Sequence, residues 1–205
     1  MGERPRLLLA TRNAKKLAEL QRILDSSLGV ARIELVGLAD LEPYHEVPET
    51  GLTFGENALL KAREGCRYTG LPTVADDSGL AVDALGGMPG VFSARWSGRH
   101  GDDQANLDLL LAQLGDVPDE HRSASFVCAA ALVLPGGKEH LVEGRQSGRL
   151  LRAGRGSGGF GYDPIFVGDG QQSTNAELSP AEKDAISHRG KAFRLMAKVI
   201  SKIVI

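Results

Sequence analysis

Pro72-Thr73-Val74-Ala75-Asp76-Asp77-Ser78-Gly79 is an apolar run that ends in two acids, a hydroxyl residue and a glycine. Pro72 to Asp76 reads as a buried strand, whose end delivers Asp76, Asp77 and Ser78 into a glycine-rich loop. Just upstream, Thr53 and Glu56 form a T-x-x-E capping box. It opens a helix through roughly Arg67, with Leu59, Ala62, Arg63 and Cys66 along one stripe. A helix feeding a buried strand points to an α/β fold. Neighbouring strand residues face opposite ways, so one carboxylate points into a given cleft while the other hydrogen-bonds the loop.

Outward from this segment the same periodicities recur. Arg6 to Thr11 reads as a short buried strand, and Asn13 can cap a helix carrying Leu17, Leu20, Ile23 and Leu24 at helical spacing. The stretch around Pro43 and Pro48 assigns itself to no element. Asp102 or Asp103 caps a third helix with Leu107, Leu110, Leu111 and Leu114, closed by Gly115. Ser123 to Leu134 is a long apolar strand, Pro135-Gly136-Gly137 a turn, and His140 to Leu150 its hairpin partner. Ser179-Pro180-Ala181-Glu182 is a second capping box, and Phe193, Met196, Ala197, Ile200 and Ile203 mark a C-terminal amphipathic helix. The expectation is a single mixed α/β domain over residues 1–205, with helices flanking a sheet that holds at least one antiparallel hairpin.

Composition narrows the partners. The 205 residues include 24 Lys+Arg and 26 Asp+Glu, a formal charge of -2, which supplies no basic field for a nucleic-acid polymer. An anionic ligand must therefore be gripped locally. Cys66 and Cys128 are the only cysteines, too few for a disulfide framework or a four-thiolate zinc site, and both lie in apolar patterns that suit core packing. Leu7-Leu8-Leu9-Ala10 is shorter than a signal-peptide core or a membrane span, so a cytoplasmic protein without membrane insertion is expected.

Four segments carry chemistry. Thr11-Arg12-Asn13-Ala14-Lys15-Lys16 sits where a strand gives way to a helix, so free N–H groups and two lysines would receive a polyphosphate. A polar cap with solvated lysines is the plainer reading. Asp76-Asp77-Ser78 supplies hard oxygen ligands of the kind Mg²⁺ takes beside substrate phosphates, although an Asx-turn without metal accounts for it equally. Residues 154–159 spell G-x-G-x-x-G, but Phe160-Gly161-Tyr162-Asp163-Pro164 follows as loop rather than helix, so the dinucleotide fingerprint is a decoy. What remains there is a loop with two aromatics and an acid, suited to a flat heterocycle, or a surface loop with Phe160 tucked into the core. Lys183, His188 and Arg189 gather donors at a helix junction, which a purine O6 or a phosphate needs. No P-loop, H-E-x-x-H or G-x-S-x-G signature competes.

In this order the segments resemble the inosine/xanthosine triphosphate pyrophosphatases, the house-cleaning Ham1-like family. The similarity runs from Leu8 through the C-terminal helix. Its most specific pieces are Ala75-Asp76-Asp77-Ser78-Gly79-Leu80 with Gly86-Gly87-Met88-Pro89-Gly90, Gly159-Phe160-Gly161-Tyr162-Asp163-Pro164, and Ser187-His188-Arg189. The resemblance implies an elongated mixed sheet flanked by helices, two lobes with a central substrate cleft, a homodimer, and Mg²⁺-dependent hydrolysis of XTP, ITP and dITP to monophosphate and pyrophosphate. It implies that Thr11, Arg12, Asn13, Ala14, Lys15 and Lys16 hold the triphosphate, with Asp77 as catalytic and metal-binding carboxylate. Ser78, Phe160, Gly161, Tyr162, Asp163, Lys183, His188 and Arg189 would contact substrate. Glu49, in Pro48-Glu49-Thr50-Gly51, matches a position that supplies a second metal ligand; many relatives have two consecutive acids where this chain has Pro48 first. Arg12 stands where the family commonly has glycine, so either the turn is less strained or Arg12 adds a phosphate contact. A Maf-like pyrophosphatase of broader specificity and a non-hydrolysing nucleotide sensor are the competing readings.

Overall fold

The computed structural model describes residues 5–12, 14–28, 33–41 and 47–203, and leaves out the side chains of residues 14–16, 20, 27 and 28. Its strands are β1 (Arg6–Leu9), β2 (Glu34–Gly37), β3 (Thr73–Val82), β4 (Ser123–Val133), β5 (Glu139–Leu150) and β6 (Phe166–Gly168). The helices are α1 (Ala14–Leu28), α2 (Phe54–Thr69), α3 (Asp103–Gln113), α4 (Pro180–Ile186) and α5 (His188–Ile203). The strands form one mixed sheet in the order β2-β1-β3-β4-β5-β6. β1 pairs in parallel with β2 and with β3, and β5 pairs antiparallel with β6. None of the described helices is long and apolar enough to cross a membrane.

The chain divides into two compact units: Met1–Asp77, Cys128–Gly144 and Arg189–Ile205 make the first, Ser78–Val127 and Arg145–His188 the second. In the first, strand alternation sorts the core into two faces. Leu7, Leu9, Val74, Cys128, Ala130 and Leu132 pack with Ile23 and Leu24 of α1 and with Phe193, Met196, Ala197 and Ile200 of α5. The intervening residues Ala10, Ala75, Ala129, Ala131 and Val133 pack with Ala58, Ala62 and Cys66 of α2.

That second face is built almost wholly from alanine, so α2 lies close against the strands. Both ends of α2 are fixed locally. Thr53 Oγ1 accepts from Glu56 N, the Glu56 carboxylate accepts from Thr53 N, and Gly70 closes the helix at φ +67° while donating to Cys66 O. The buried stripe is Asn57, Ala58, Ala62, Gly65 and Cys66; Arg63, expected on it, instead turns outward to a bidentate pair with Glu139.

Two expectations change. β3 does not end at Asp76 but continues to Val82, so Asp76, Asp77 and Ser78 are strand residues rather than loop residues. The glycine that suggested a loop has a packing cause. A Cβ at Gly79 would collide with Ser93 Oγ and Gly90 O, and Ser93 Oγ accepts from Leu80 N. β2 was not foreseen; its four residues hold their place through the register Arg6↔Glu34 to Leu9↔Gly37.

In the second unit, Leu80 and Val82 pack with Leu107, Leu110 and Leu114 of α3, and with Phe126, Tyr162, Ile165 and Phe166. The buried Arg122 guanidinium donates to the carbonyls of Leu114 (2.6 Å), Leu150 (3.0 Å) and Leu151 (3.0 Å), tying the end of α3 to the end of β5.

The alanine face sets an expectation for stability. Ala62→Leu enlarges a fully buried side chain on this face, so the urea midpoint should fall by the equivalent of about 1–3 kcal/mol, whereas Leu59→Ala on the partly buried flank should cost less. An unchanged midpoint for Ala62→Leu would mean that α2 is not held at close range.

Candidate active site

Asp77 lies on the α2 face of β3, 7 % exposed. Its two oxygens have different partners: Oδ2 accepts from Asn57 Nδ2 (3.2 Å) and Oδ1 from Lys61 Nζ (3.1 Å). Asn57 and Lys61 are four apart on α2 and so share a face. Lys61 Nζ also donates to Glu49 Oε1 at 2.9 Å. Burial alone would lower the Lys61 pKa; Asp77, Asp76 and Glu49 outweigh it and hold the ammonium above the ordinary lysine value. Two carboxylates thus converge on one cationic point.

Asp76 takes the other face. Its Oδ2 accepts from Arg189 Nε (3.3 Å) and from the Cys128 thiol (3.9 Å), while Arg189 Nη1 donates to Glu19 Oε2 (2.8 Å). This triad is almost entirely removed from water. Desolvation works against the guanidinium, but Glu19 and Asp76 over-compensate and raise its pKa. Asp76 therefore hydrogen-bonds a buried guanidinium, not the loop expected from its position after the apolar run.

The second unit holds another polar group. Asp163 Oδ2 accepts from Lys183 Nζ (2.7 Å) and from Phe160 N (2.8 Å). Gly159 is at φ +71°, and a Cβ there would collide with the Asp163 carboxylate, so the glycine is required by the close approach. Lys183 Nζ stands 5.0 Å from the centroid of the half-exposed Phe160 ring. Of the two loop aromatics it is Tyr162, not Phe160, that enters the core, with its hydroxyl donating to Ser93 O at 2.9 Å. Gly161 N donates to Asp103 Oδ2 (2.9 Å). Residues 154–159 open no helix, in line with the decoy reading.

A profile of the Ham1 family matches residues 7–199. The chain belongs to the Ham1 family. It is 64% identical over 198 residues to the dITP/XTP pyrophosphatase of Nocardia farcinica, covering 97% of this chain and 96% of that one. The crystal structure of the nucleoside-triphosphatase / dITP/XTP pyrophosphatase from Mycobacterium abscessus superposes with a TM-score of 0.77 at 63% identity, covering 93% and 97% of the two chains. A HAM1 protein from Coxiella burnetii superposes with a TM-score of 0.87 at 40% identity, covering 97% and 99%. These Ham1 neighbours share the mixed sheet flanked by helices that the sequence led us to expect.

The residues singled out in the sequence now have places. Thr11 and Arg12 follow β1, which runs parallel to β3; Asn13 and the side chains of Ala14, Lys15 and Lys16 lie outside the described residues. Glu49 and Asp77 meet at Lys61 in the first unit. Phe160 to Asp163 and Lys183 form one group in the second, where the His188 ring stacks on Phe126 at 4.8 Å. Ser78 is the next residue along β3, partly exposed. His188 and Arg189, read as one cluster, have separate environments: His188 on Phe126, Arg189 between Glu19 and Asp76. Sequence reasoning missed Asn57, Lys61, Glu19 and Asp103. The one available signal was the i, i+4 spacing of Asn57 and Lys61 beside alanines on an otherwise apolar helix face.

Tyr162 offers a pH test of the loop anchor. Burial first, and then the Asp103 carboxylate, raise its phenol well above the ordinary value near 10. The neutral phenol's contribution to stability is full below about pH 10 and is lost as pH rises towards the folded-state value. In a spectrophotometric titration of the wild type minus Tyr162→Phe, phenolate absorbance should appear only together with alkaline unfolding followed by circular dichroism. Ionisation near pH 10 in a still-folded chain would show the ring to be loose.

Proposed function

We propose that this chain hydrolyses XTP, ITP and dITP to the monophosphate and pyrophosphate, with Mg²⁺ as its ion, clearing these nucleotides before they enter DNA or RNA. The observation that carries it is the convergence of Asp77 and Glu49 on one partly buried cationic point in a member of a family whose relatives are named dITP/XTP pyrophosphatases. Among the described residues no three His, Cys, Asp or Glu side chains gather to form an ion cage. Two carboxylates nonetheless suit Mg²⁺, which takes one or two protein carboxylates and completes its shell with water and phosphate. Asp77 and Glu49 would hold it, and when bound it offsets charge on the phosphates.

The chain's own residues do the rest. Asp77 positions the water that attacks phosphorus. Thr11 to Lys16, at the junction of β1 and α1, grip the triphosphate through helix-end N–H groups and lysine charge. Lys61, whose ammonium donates to Asp77 and Glu49, would be free to turn a hydrogen bond to a phosphate oxygen if those carboxylates held the ion. To Ser78, Phe160 to Asp163, Lys183, His188 and Arg189 we assign contact with the nucleoside. Hypoxanthine and xanthine offer an O6 acceptor where adenine offers a donor, so a donor-rich site leaves buried groups unpaired against ATP. A homodimer and a cytoplasmic location complete the proposal, the latter consistent with the buried Cys66 and Cys128, which are not joined in a disulfide.

Pyrophosphate release measured with ITP, XTP, dITP, GTP and ATP, with and without Mg²⁺, is the test. ITP, XTP and dITP should exceed ATP by about 100-fold or more in kcat/KM; equal turnover of ATP or GTP would refute the selectivity. Asp77→Asn should keep the fold and lose about 100-fold or more of kcat, and a near-normal kcat would remove Asp77 from its role.

A further inference from the structure

Asn57 is fully buried, and both ends of its amide are used. Its Oδ1 accepts from Gly51 N at 2.8 Å and its Nδ2 donates to Asp77 Oδ2 at 3.2 Å. Donor chemistry permits only this orientation: a backbone N–H cannot accept, and an ionised carboxylate cannot donate. The amide is aimed from both sides. Its helix cannot shift readily either, because the Thr53–Glu56 box fixes the first turn of α2 and the alanine face fixes the next.

The glycine is part of the device. A Cβ on Gly51 would overlap Glu56 Cβ and Asn57 Oδ1, so only glycine lets the backbone close on the amide. Gly51 is two residues beyond Glu49, and Glu49 and Asp77 share Lys61 one helical turn further along α2. A single side chain therefore joins the segment that bears one acid to the strand that bears the other.

Resting on the assignment of Asp77 and Glu49 above, we propose that Asn57 is a positioning residue. It holds Asp77 by Oδ2 and ties it to the Glu49 segment through Gly51, leaving Oδ1 as the oxygen whose cation is exchanged. The choice of a neutral donor follows from charge. One ammonium already faces two carboxylates; a second cation in place of Asn57 would cancel the attraction that a divalent ion needs, whereas an amide orients the carboxylate and leaves its charge intact. Since Asn57 touches the carboxylate rather than the nucleotide, its loss belongs in kcat and not in KM.

The full chain is compared with Asn57→Ala, Asn57→Asp and Gly51→Ala in steady-state pyrophosphate release from ITP with Mg²⁺. An inactive wild type refutes the functional assignment itself; an active one isolates the role of Asn57. The expected result is a kcat lowered about 10- to 100-fold, with KM changed by less than about threefold. Asn57→Asp should fall furthest, because it sets an acceptor against Asp77. Gly51→Ala should show the same split with the amide chemically intact. Independently of activity, hydrogen exchange at the Gly51 amide should be slow in the metal-free wild type and faster in Asn57→Ala. Folded Asn57 variants with near-normal kcat and a lower melting temperature would reduce Asn57 to a structural residue and overturn the proposal. If neither Asn57 variant folds, the decision passes to Gly51→Ala, where a retained kcat overturns it, and to the wild-type Gly51 amide, where rapid exchange does the same.

Discussion

Two consecutive carboxylates, Asp76 and Asp77, are buried in the middle of a strand, and the first unit is arranged around keeping both of them charged. An ionised carboxylate away from water needs partners at hydrogen-bond distance. Alternation forbids the two from sharing any. Asp76 is met from the α5 side by Arg189, which in turn draws in Glu19 of α1; Asp77 is met from the α2 side by Asn57 and Lys61. Each helix that covers this part of the sheet thus brings a polar group to a fixed height on β3. The alanines of α2 are the packing counterpart, since a bulkier face would hold Asn57 and Lys61 out of reach.

The second unit solves a related problem with different parts. Asp163 is buried, and its partners come from a lysine one segment away in the sequence and from the backbone of its own loop. Gly159 makes room for the carboxylate, Tyr162 pins the loop to Ser93, and Asp103 caps it from α3. Phe160 is left half-exposed at the surface of this group, with a cation beside its ring. Both units therefore present polar groups whose geometry is set by their own surroundings, a form of preorganisation that costs nothing further when a charged ligand arrives.

How much of this the sequence disclosed follows from range. The caps of α2 and α4 were legible because Thr53 and Glu56, and Ser179 and Glu182, meet within three residues. The β4–β5 turn was legible for the same reason. β2 was not, because four residues of strand carry no period, and their place depends on β1. The run of β3 past Asp77 was obscured by Gly79, whose absent side chain makes room for Ser93 rather than for a bend. The site divided in the same way. Asp77, Asp163 and Lys183 stood out by residue type and family motif, while Asn57 and Lys61 lie 20 and 16 residues from Asp77 and looked like ordinary polar positions. The Arg189–Glu19 pair spans 170 residues, so no local pattern could join it.

The burial of Asp76 also makes β3 sensitive to parity. The two aspartates are chemically identical; only odd or even position decides which one works and which one braces. One residue inserted just before Ala75 would still place an aspartate towards α2, yet it would set Ala75 opposite Arg189 and take one of the two carboxylates from a buried guanidinium. One residue deleted there would keep Arg189 matched but turn Ser78 towards Lys61. Neither error can pass silently, because each takes a carboxylate away from a cation that it faces. The acid doublet, with an arginine reading one member and a lysine the other, acts as a frame check on the strand that carries the site.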